Sequence, residues 1–397
     1  MFAVLSTARK VLRPLAAATA LLAIAACEPI SLTPGAGAGA GGPKIDPTKP
    51  IQVALLVPQS DASPEIASVA KSLENAARLA IKEREGVQID LRVYDTGGNA
   101  ANAAAQAQKA VDEGAKIILG PLRADAVNAA GLAVADEGVN VLGFSNNASI
   151  AGGNVFILGE TFVNIAGRLM SHAKKNGKSS AVIVYSDDVA GQFGKIAFEQ
   201  AATVNGIRVV ASEGYALSVE GVSAAAQRAS AAVKSGSADL VFLTPEAQNA
   251  ATPMLLNQLP SNGVDPATVQ YGTLARLDVR PDLFTVPGAD GIWFTVPDAQ
   301  RQQAFGARYA QTYSSSAHPL AGLAYDGISA IALLAEQGRG DALTGKALTS
   351  ASFTGTGGVF RLLSNGTNQR ALAIATVKDN QMVILDPAPS SLSGTGF

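Results

Sequence analysis

Residues 107–147 read AQKAVDEGAKIILGPLRADAVNAAGLAVADEGVNVLGFSNN. Two short, mainly apolar runs at 116–119 and 139–144 each follow a longer, alanine-rich amphipathic run. Strands that are apolar on both faces belong in a parallel sheet covered by helices on both sides. The same alternation extends outward, with strands predicted at 51–57, 89–94 and 155–158 and helices at 64–85, 100–113 and 124–137. In the first helix Ile66, Val69, Leu73, Ala76, Ala77 and Ala80 share one face,. The pattern restarts after Glu160. Helices are predicted at 161–176, 190–205, 219–235 and 246–258, leading to strands at 181–185, 208–211, 239–243 and 269–271. A run at 291–296 precedes helices at 298–313 and 320–336. Strands at 359–362, 371–377 and 382–385 close the chain. Asn365-Gly366 between them suits a hairpin, so these strands are read as antiparallel.

The N-terminus has another character. Arg9, Lys10 and Arg13 precede an apolar stretch at 15–26 that ends Ile24-Ala25-Ala26-Cys27. A basic start, a short apolar segment and small residues at the cut describe a secretory signal at 1–26. The twelve residues at 15–26, all apolar but Thr19, fall short of the ~20 that span a bilayer as a helix. The Ile-Ala-Ala-Cys ending resembles the lipobox of bacterial lipoproteins, which makes Cys27 the expected lipidation site; an ordinary signal with an incidental cysteine is the alternative. Cys27 is the only cysteine, so it has no internal disulfide partner,. Residues 27–49, rich in Gly, Ala and Pro, read as a flexible linker. The GxGxxG formed by Gly37, Gly39 and Gly42 follows no strand and opens no helix, so it is no phosphate loop. Without the three basic residues of the signal, 27 basic face 32 acidic residues, which excludes electrostatic attraction to nucleic acid. The body holds no second long apolar run, leaving the lipid as the expected membrane contact.

Several segments carry a family resemblance: IQVALLVPQS (51–60), NAARLAIKE (75–83), IDLRVYDTGGN (89–99), SAVIVYSDDVAGQFGKIAFEQAATVNGIRVV (180–210), LAYDGISAIALLAEQG (323–338) and GVFRLLSNGTNQRALAIATVKDNQ (358–381). In order and spacing they resemble the type I periplasmic binding proteins, the Leu/Ile/Val-type group above all, across essentially all of 50–386. The resemblance implies an α/β fold of two Rossmann-like lobes with parallel sheets joined by a three-crossing hinge. The crossings would fall near 159, 295 and 350. Lobe 1 would be 50–158 plus 296–350 and lobe 2 159–295 plus 351–386, with a flexible tail at 387–397. Ligand would lie between the lobes, in agreement with the rule that open parallel sheets bind ligands beyond the carboxyl ends of their strands.

The loops there, 58–63, 120–125, 145–149, 186–191, 244–248 and 272–276, are rich in Ser, Asn, Asp and Gly. Their candidate ligand-binding residues are Ser60, Arg123, Asp125, Ser145, Asn146, Asn147, Asp187, Glu246 and Arg276. Each has a plainer reading. Asp187-Asp188 suit an ammonium group or a cation, and equally a helix cap. Asp125 could cap helix 124–137 and leave Arg123 solvated. Asn146-Asn147 fit a turn as well as a ligand. Arg276 suits a carboxylate or an ion pair between lobes. Asp326 is read as structural, Trp293 as hinge packing, His172 as an exposed helix residue and His318 as a loop residue. The two histidines are far apart in sequence, and no zinc cluster, nucleophile elbow or Walker loop is present,. No cofactor and no catalysis are expected.

Two functions stand open. One is a solute receptor that hands a small polar ligand to an ABC permease. The other is a regulator that turns the same fold on a peptidoglycan synthase, as the ligand-binding-like domains of penicillin-binding protein activators do. Glu28 after Cys27 favours the outer membrane, since Asp there marks inner-membrane retention in enteric bacteria. The loop at 122–127 lacks the hydroxyls of the branched-chain amino acid group, and Ala190 stands where a Tyr is expected. Leu, Ile and Val are therefore not expected as ligands.

Overall fold

The computed structural model describes residues 42–244 and 250–392, which belong to one compact unit. Cys27, the signal, most of the linker and Glu246 lie outside the described residues. The first lobe opens with β1 (Ile51–Val57), α1 (Pro64–Lys82), β2 (Ile89–Asp95), α2 (Ala100–Asp112), β3 (Ile117–Leu119), α3 (Ala124–Ala133), β4 (Asn140–Gly143) and β5 (Val155–Ile157). The strands form a parallel sheet in the order β2-β1-β3-β4-β5. Alternate residues of β1 serve opposite faces. Val53, Leu55 and Val57 join one core cluster, and Ala54 and Leu56 join another, as the two-residue period of a strand requires. The helix starts carry side-chain caps where the sequence supplies them: Ser63 accepts from Ile66 N, and Asn99 from Asn102 N,. Helix 124–137 stops at Ala133, and residues after it form turns.

The second lobe repeats the plan with α4 (Phe162–Lys175), β6 (Ser180–Ser186), α5 (Val189–Asn205), β7 (Arg208–Tyr215), α6 (Val219–Gly236), β8 (Leu240–Thr244), α7 (Ala251–Ser261), β9 (Gln270–Thr273) and β10 (Phe294–Val296). Its parallel sheet runs β7-β6-β8-β9. Trp293 extends it, donating from its N to the Tyr271 carbonyl and accepting at its own carbonyl from Thr273 N, both at 2.9 Å. Val182 and Val184 pack on one face of this sheet, Ala181 and Ile183 on the other.

The chain then returns to lobe 1 with α8 (Ala299–Tyr313), α9 (Ala321–Ala335) and the single turn α10 (Gly345–Leu348). Phe305, Tyr309, Ile328 and Ile331 join the lobe 1 core. An antiparallel sheet follows, made of β11 (Ser352–Gly355), β12 (Gly358–Leu362) and β13 (Asn368–Arg370). Finally β14 (Ala373–Lys378) and β15 (Gln381–Asp386) join β10 in the order β10-β14-β15.

Three boundaries differ from the sequence expectation. The third crossing falls near 371, not 350, because Phe353, Phe360 and Leu362 belong to the lobe 1 core while Leu372 and Ala373 belong to lobe 2. The Asn365-Gly366 turn explains why β12 and β13 stay with lobe 1. The Gly366 carbonyl accepts from Ile157 N at 2.8 Å, and a Cβ on Gly366 would stand 2.3 Å from both Gly152 N and Val155 O. Only glycine allows that approach at its φ of 80°,. The linker is not loose throughout: Ile45 is buried in the lobe 1 core and its N donates to the Gly340 carbonyl at 2.9 Å. The segment read as a tail is seated as far as Leu392, which is buried, and Arg168 donates to the Pro387 carbonyl at 3.5 Å.

His172 is a further correction. It is buried, with its ring edge-on to Trp293 at 4.7 Å and its Nδ1 3.5 Å from Asp386. The same carboxylate takes Arg168 at 2.8 Å, so Asp386 at the end of β15 and Trp293 cover a face of α4 that its basic neighbours Lys174 and Lys175 suggest is solvent.

Candidate functional site: the cleft between the lobes

A cavity of about 570 Å³ lies between the lobes, touched by residues of all three crossings: Gly159 and Glu160, Pro297, and Arg370 to Leu372. Its floor is ionic. Asp326, from α9, is buried and accepts from Arg370 Nη1 at 3.0 Å and from Thr356 N at 2.7 Å. Arg370 also donates through Nε to the Leu158 carbonyl at 3.0 Å and lies 4.6 Å from the centre of the Phe360 ring. Its Nη2 is buried with no partner among the described residues. This confirms the structural reading of Asp326: the pair ties α9 to the first and third crossings. Removing one partner of such a buried pair costs about 3–5 kcal/mol, since the other charge is left uncompensated.

Glu160 sits beside this pair. It accepts from the Thr295 hydroxyl at 3.4 Å and lies 4.0 Å from Arg276 Nη1. Burial pushes its carboxyl above the usual range, against the opposing pull of Arg276 and Arg370,. Arg276 itself is engaged by its neighbour Asp278, through Nε at 2.7 Å and Nη2 at 2.5 Å. Burial works against its charge, but these bonds hold its pKa above the ordinary value. Neither reading of Arg276 anticipated this partner two residues away.

The cleft gathers five of the nine candidate residues. Arg123, Ser145, Asn146, Asn147 and Arg276 line it. Arg123 is held by Asp61 at 3.0 Å. Ser145 Oγ accepts from Asn147 N at 3.1 Å, and Asn147 Oδ1 from Ser149 N at 2.9 Å, so Asn147 has its turn role. Ser60, Asp125 and Asp187 are exposed and lie outside the cavity wall. The Ser60 N donates to Asp95 at 3.1 Å. Asp125 falls in the first turn of α3, whose cap position is Arg123, so it is no N-cap. Of the acid pair, Asp188 is the cap of α5, accepting from Gly191 N at 2.7 Å, while the Asp187 N donates to the Tyr215 carbonyl at 2.9 Å.

The wall contains residues that the loop-by-loop reading passed over: Glu160, Gln302, Thr356 and Arg370, and the apolar Leu122, Phe144, Phe162, Leu274, Leu323 and Leu372. Glu160 and Arg370 mark crossings rather than strand ends. The available signal was a charged residue set directly beside apolar strand residues, as in Leu158-Gly159-Glu160 and Gln369-Arg370-Ala371-Leu372. A second cavity of about 430 Å³ adjoins the first, sharing Asn146, Asn147 and Phe162. Among the described residues no helix is long and apolar enough to cross a membrane, and no cluster of metal-ligating side chains occurs.

Two parallel α/β lobes joined by three crossings over a shared cleft define a bilobal binding protein. The family model described as periplasmic binding protein matches residues 50–381, and the chain belongs to that family. No curated protein matches it. Among solved structures, a protein from Rhodospirillum rubrum described as of the branched-chain amino acid ABC transporter type superposes with a TM-score of 0.72 at 15% identity, covering 85% of this chain and 100% of that one. An ABC transporter substrate-binding protein from Desulfitobacterium hafniense, in complex with Leu, gives 0.63 at 19%, with coverage of 85% and 100%. A solute-binding protein from R. palustris, in complex with benzoate, gives 0.56 at 18%, with coverage of 87% and 99%. At these identities the likeness is one of fold.

Proposed function

We propose that this protein is a lipid-anchored solute receptor, held at Cys27, that captures a small solute in its cleft and presents the closed form to an ABC permease. The observation that carries this reading is the cavity itself: both lobes and all three crossings border it, so rotation about the crossings would enclose whatever it holds,. A ligand that touches both lobes stabilises the closed state by its differential affinity for that state. The family supports solute binding, and transporter proteins in complex with Leu or benzoate share the fold. The ligand's polar end is assigned to the floor, where Glu160, Arg276 and Arg370 converge, and to Ser145 and Asn146. The Ile-Ala-Ala-Cys ending supports the anchor, and Glu28 supports the outer membrane.

A thermal-shift screen of amino acids, small peptides, nucleobases and cell-wall fragments tests the receptor reading. A cleft ligand at a hundred times its Kd adds about 2.7 kcal/mol to stability. Asn146→Trp places a large ring in the cleft from an exposed position, and is expected to remove the shift without lowering the unliganded Tm. A screen that shifts nothing, or a shift untouched by Asn146→Trp, overturns the reading.

A further inference from the structure

Each lobe is built on one parallel sheet, and each sheet has two edges. Three of these edges are closed. β2 carries Asp90, Arg92 and Asp95, and β7 carries Arg208 and Glu213; charges along an edge discourage another strand from joining it. β5 is bonded on its outer side, through Val155 to Gly152 and through Ile157 N to the Gly366 carbonyl. The fourth edge is β15, where the sheet that starts at β7 and continues through Trp293 and β10 comes to its end. Among the described residues its backbone bonds only to β14. Its centre, Met382-Val383-Ile384-Leu385, carries no charge and is 37–46% exposed.

The register with β14 shows how this edge is dressed. Met382 lies opposite Val377 and Ile384 opposite Ala375, so both take the face of those core residues, while Val383 opposite Thr376 takes the other,. A second copy of the strand, laid antiparallel about a two-fold axis normal to the sheet, must pair residues that share a face. With the axis at Val383, Val383 meets its own copy, Met382 meets Ile384 and Gln381 meets Leu385, and no charge faces its like. With the axis one residue on, Asp386 would face Met382; one residue back, Asn380 would face Ile384. The strand is complementary to itself in one register. We propose that β15 is an interface between two copies of this chain, joined antiparallel about Val383 so that their lobe 2 sheets run on as one. No residue of β15 lines either cavity, so the interface is independent of what the cleft binds and leaves both clefts open. Four partly exposed side chains per copy bury less than the ~1,200 Å² of a standard interface, so the dimer dissociates on dilution.

Sedimentation velocity of the full chain carrying Cys27→Ser, run as a dilution series, tests this. A monomer–dimer equilibrium is expected. Val383→Lys and Val383→Glu, each added to that chain, set like charges opposite one another about 5 Å apart. Each alone is expected to sediment as a monomer at every concentration, with Tm unchanged. An equal mixture of the two sets opposite charges together and is expected to restore the dimer. If either charged variant fails to fold, oxidation decides. Val383→Cys, then the only cysteine in the chain, is expected to yield a covalent dimer, whereas Val204→Cys, at an exposed site on α5, is not. A chain that is monomeric throughout overturns the proposal and leaves the edge to a strand of some other protein. So does a dimer that survives the charged variants, a mixture of them that stays monomeric, or covalent dimer formed equally by both cysteine variants. A dimer relieved by Phe193→Asp and not by Val383→Lys places the contact on α5, and overturns it too.

Discussion

Glu160 shows how a charge at a crossing reports on its surroundings. Its carboxyl is held above the usual range by burial, so the folded state binds its proton more tightly than the unfolded chain does,. For a carboxyl raised in this way, stability is greatest at acid pH and is lost as pH rises through the range between its unfolded and folded values. Glu160→Gln is therefore expected to raise Tm near neutral pH and to change it little below the carboxylate range, as scanning calorimetry at a series of pH values would show. An equal effect at every pH would mean that the gain comes from packing. His172 runs the other way. Burial lowers its pKa, so the unfolded chain takes the proton first and stability falls as pH drops through its ordinary value. At this scale the sequence was least informative. Arg276 reads as a ligand fork or an ion pair between lobes until Asp278 is seen to fill it, and His172 reads as exposed until Trp293 and Asp386 are seen against it. Both errors have one source: pairwise contacts made by loops and by distant strands leave no period in the chain.

Elements were far more legible. The buried strands of both parallel sheets announce themselves as continuous apolar runs, such as 53–57 and 240–243, because both faces are covered, and the intervening helices as amphipathic stripes. β11 and β13 escaped notice for a physical reason. They are three or four residues long, and Ser352, Thr354, Asn368 and Arg370 carry too few apolar side chains to form a pattern. β15 poses a different question. Met382, Val383, Ile384 and Leu385 are 37–46% exposed on a strand that ends its sheet, with no lysine, proline or inward charge between them. Open apolar edges invite pairing with other chains. Ile384→Lys is expected to leave Tm within about 0.5 kcal/mol of stability, as surface changes do, while lowering concentration-dependent light scattering. Scattering that does not change would show that this edge is already protected.

For the molecule as a whole, the doubly wound plan, the two lobes and the position of the cleft followed from the alternation of runs together with the family resemblance. The third crossing did not. Its placement depends on whether β12 and β13 pack with lobe 1 or lobe 2, and that was decided by one glycine meeting β5, a contact between residues 211 positions apart in the related Asn368–Ile157 bond. The anchor is tested at this scale. Cys27→Ser in the full chain is expected to move the protein from the membrane fraction to the soluble one with its fold unchanged by circular dichroism. Recovery with membranes at the unaltered level would remove the lipid from the proposal.

The seating of Ile45 has a mechanical consequence. Its backbone bond to Gly340 and its place in the lobe 1 core fasten the stretch before β1 to one side of the hinge only, while the C-terminal stretch around Pro387 is fastened to the other through Arg168. Any pull arriving from the N-terminus is thus delivered to lobe 1 and does not cross the hinge. With the proposed tether at Cys27, lobe 1 would therefore be the held jaw and lobe 2 the free one.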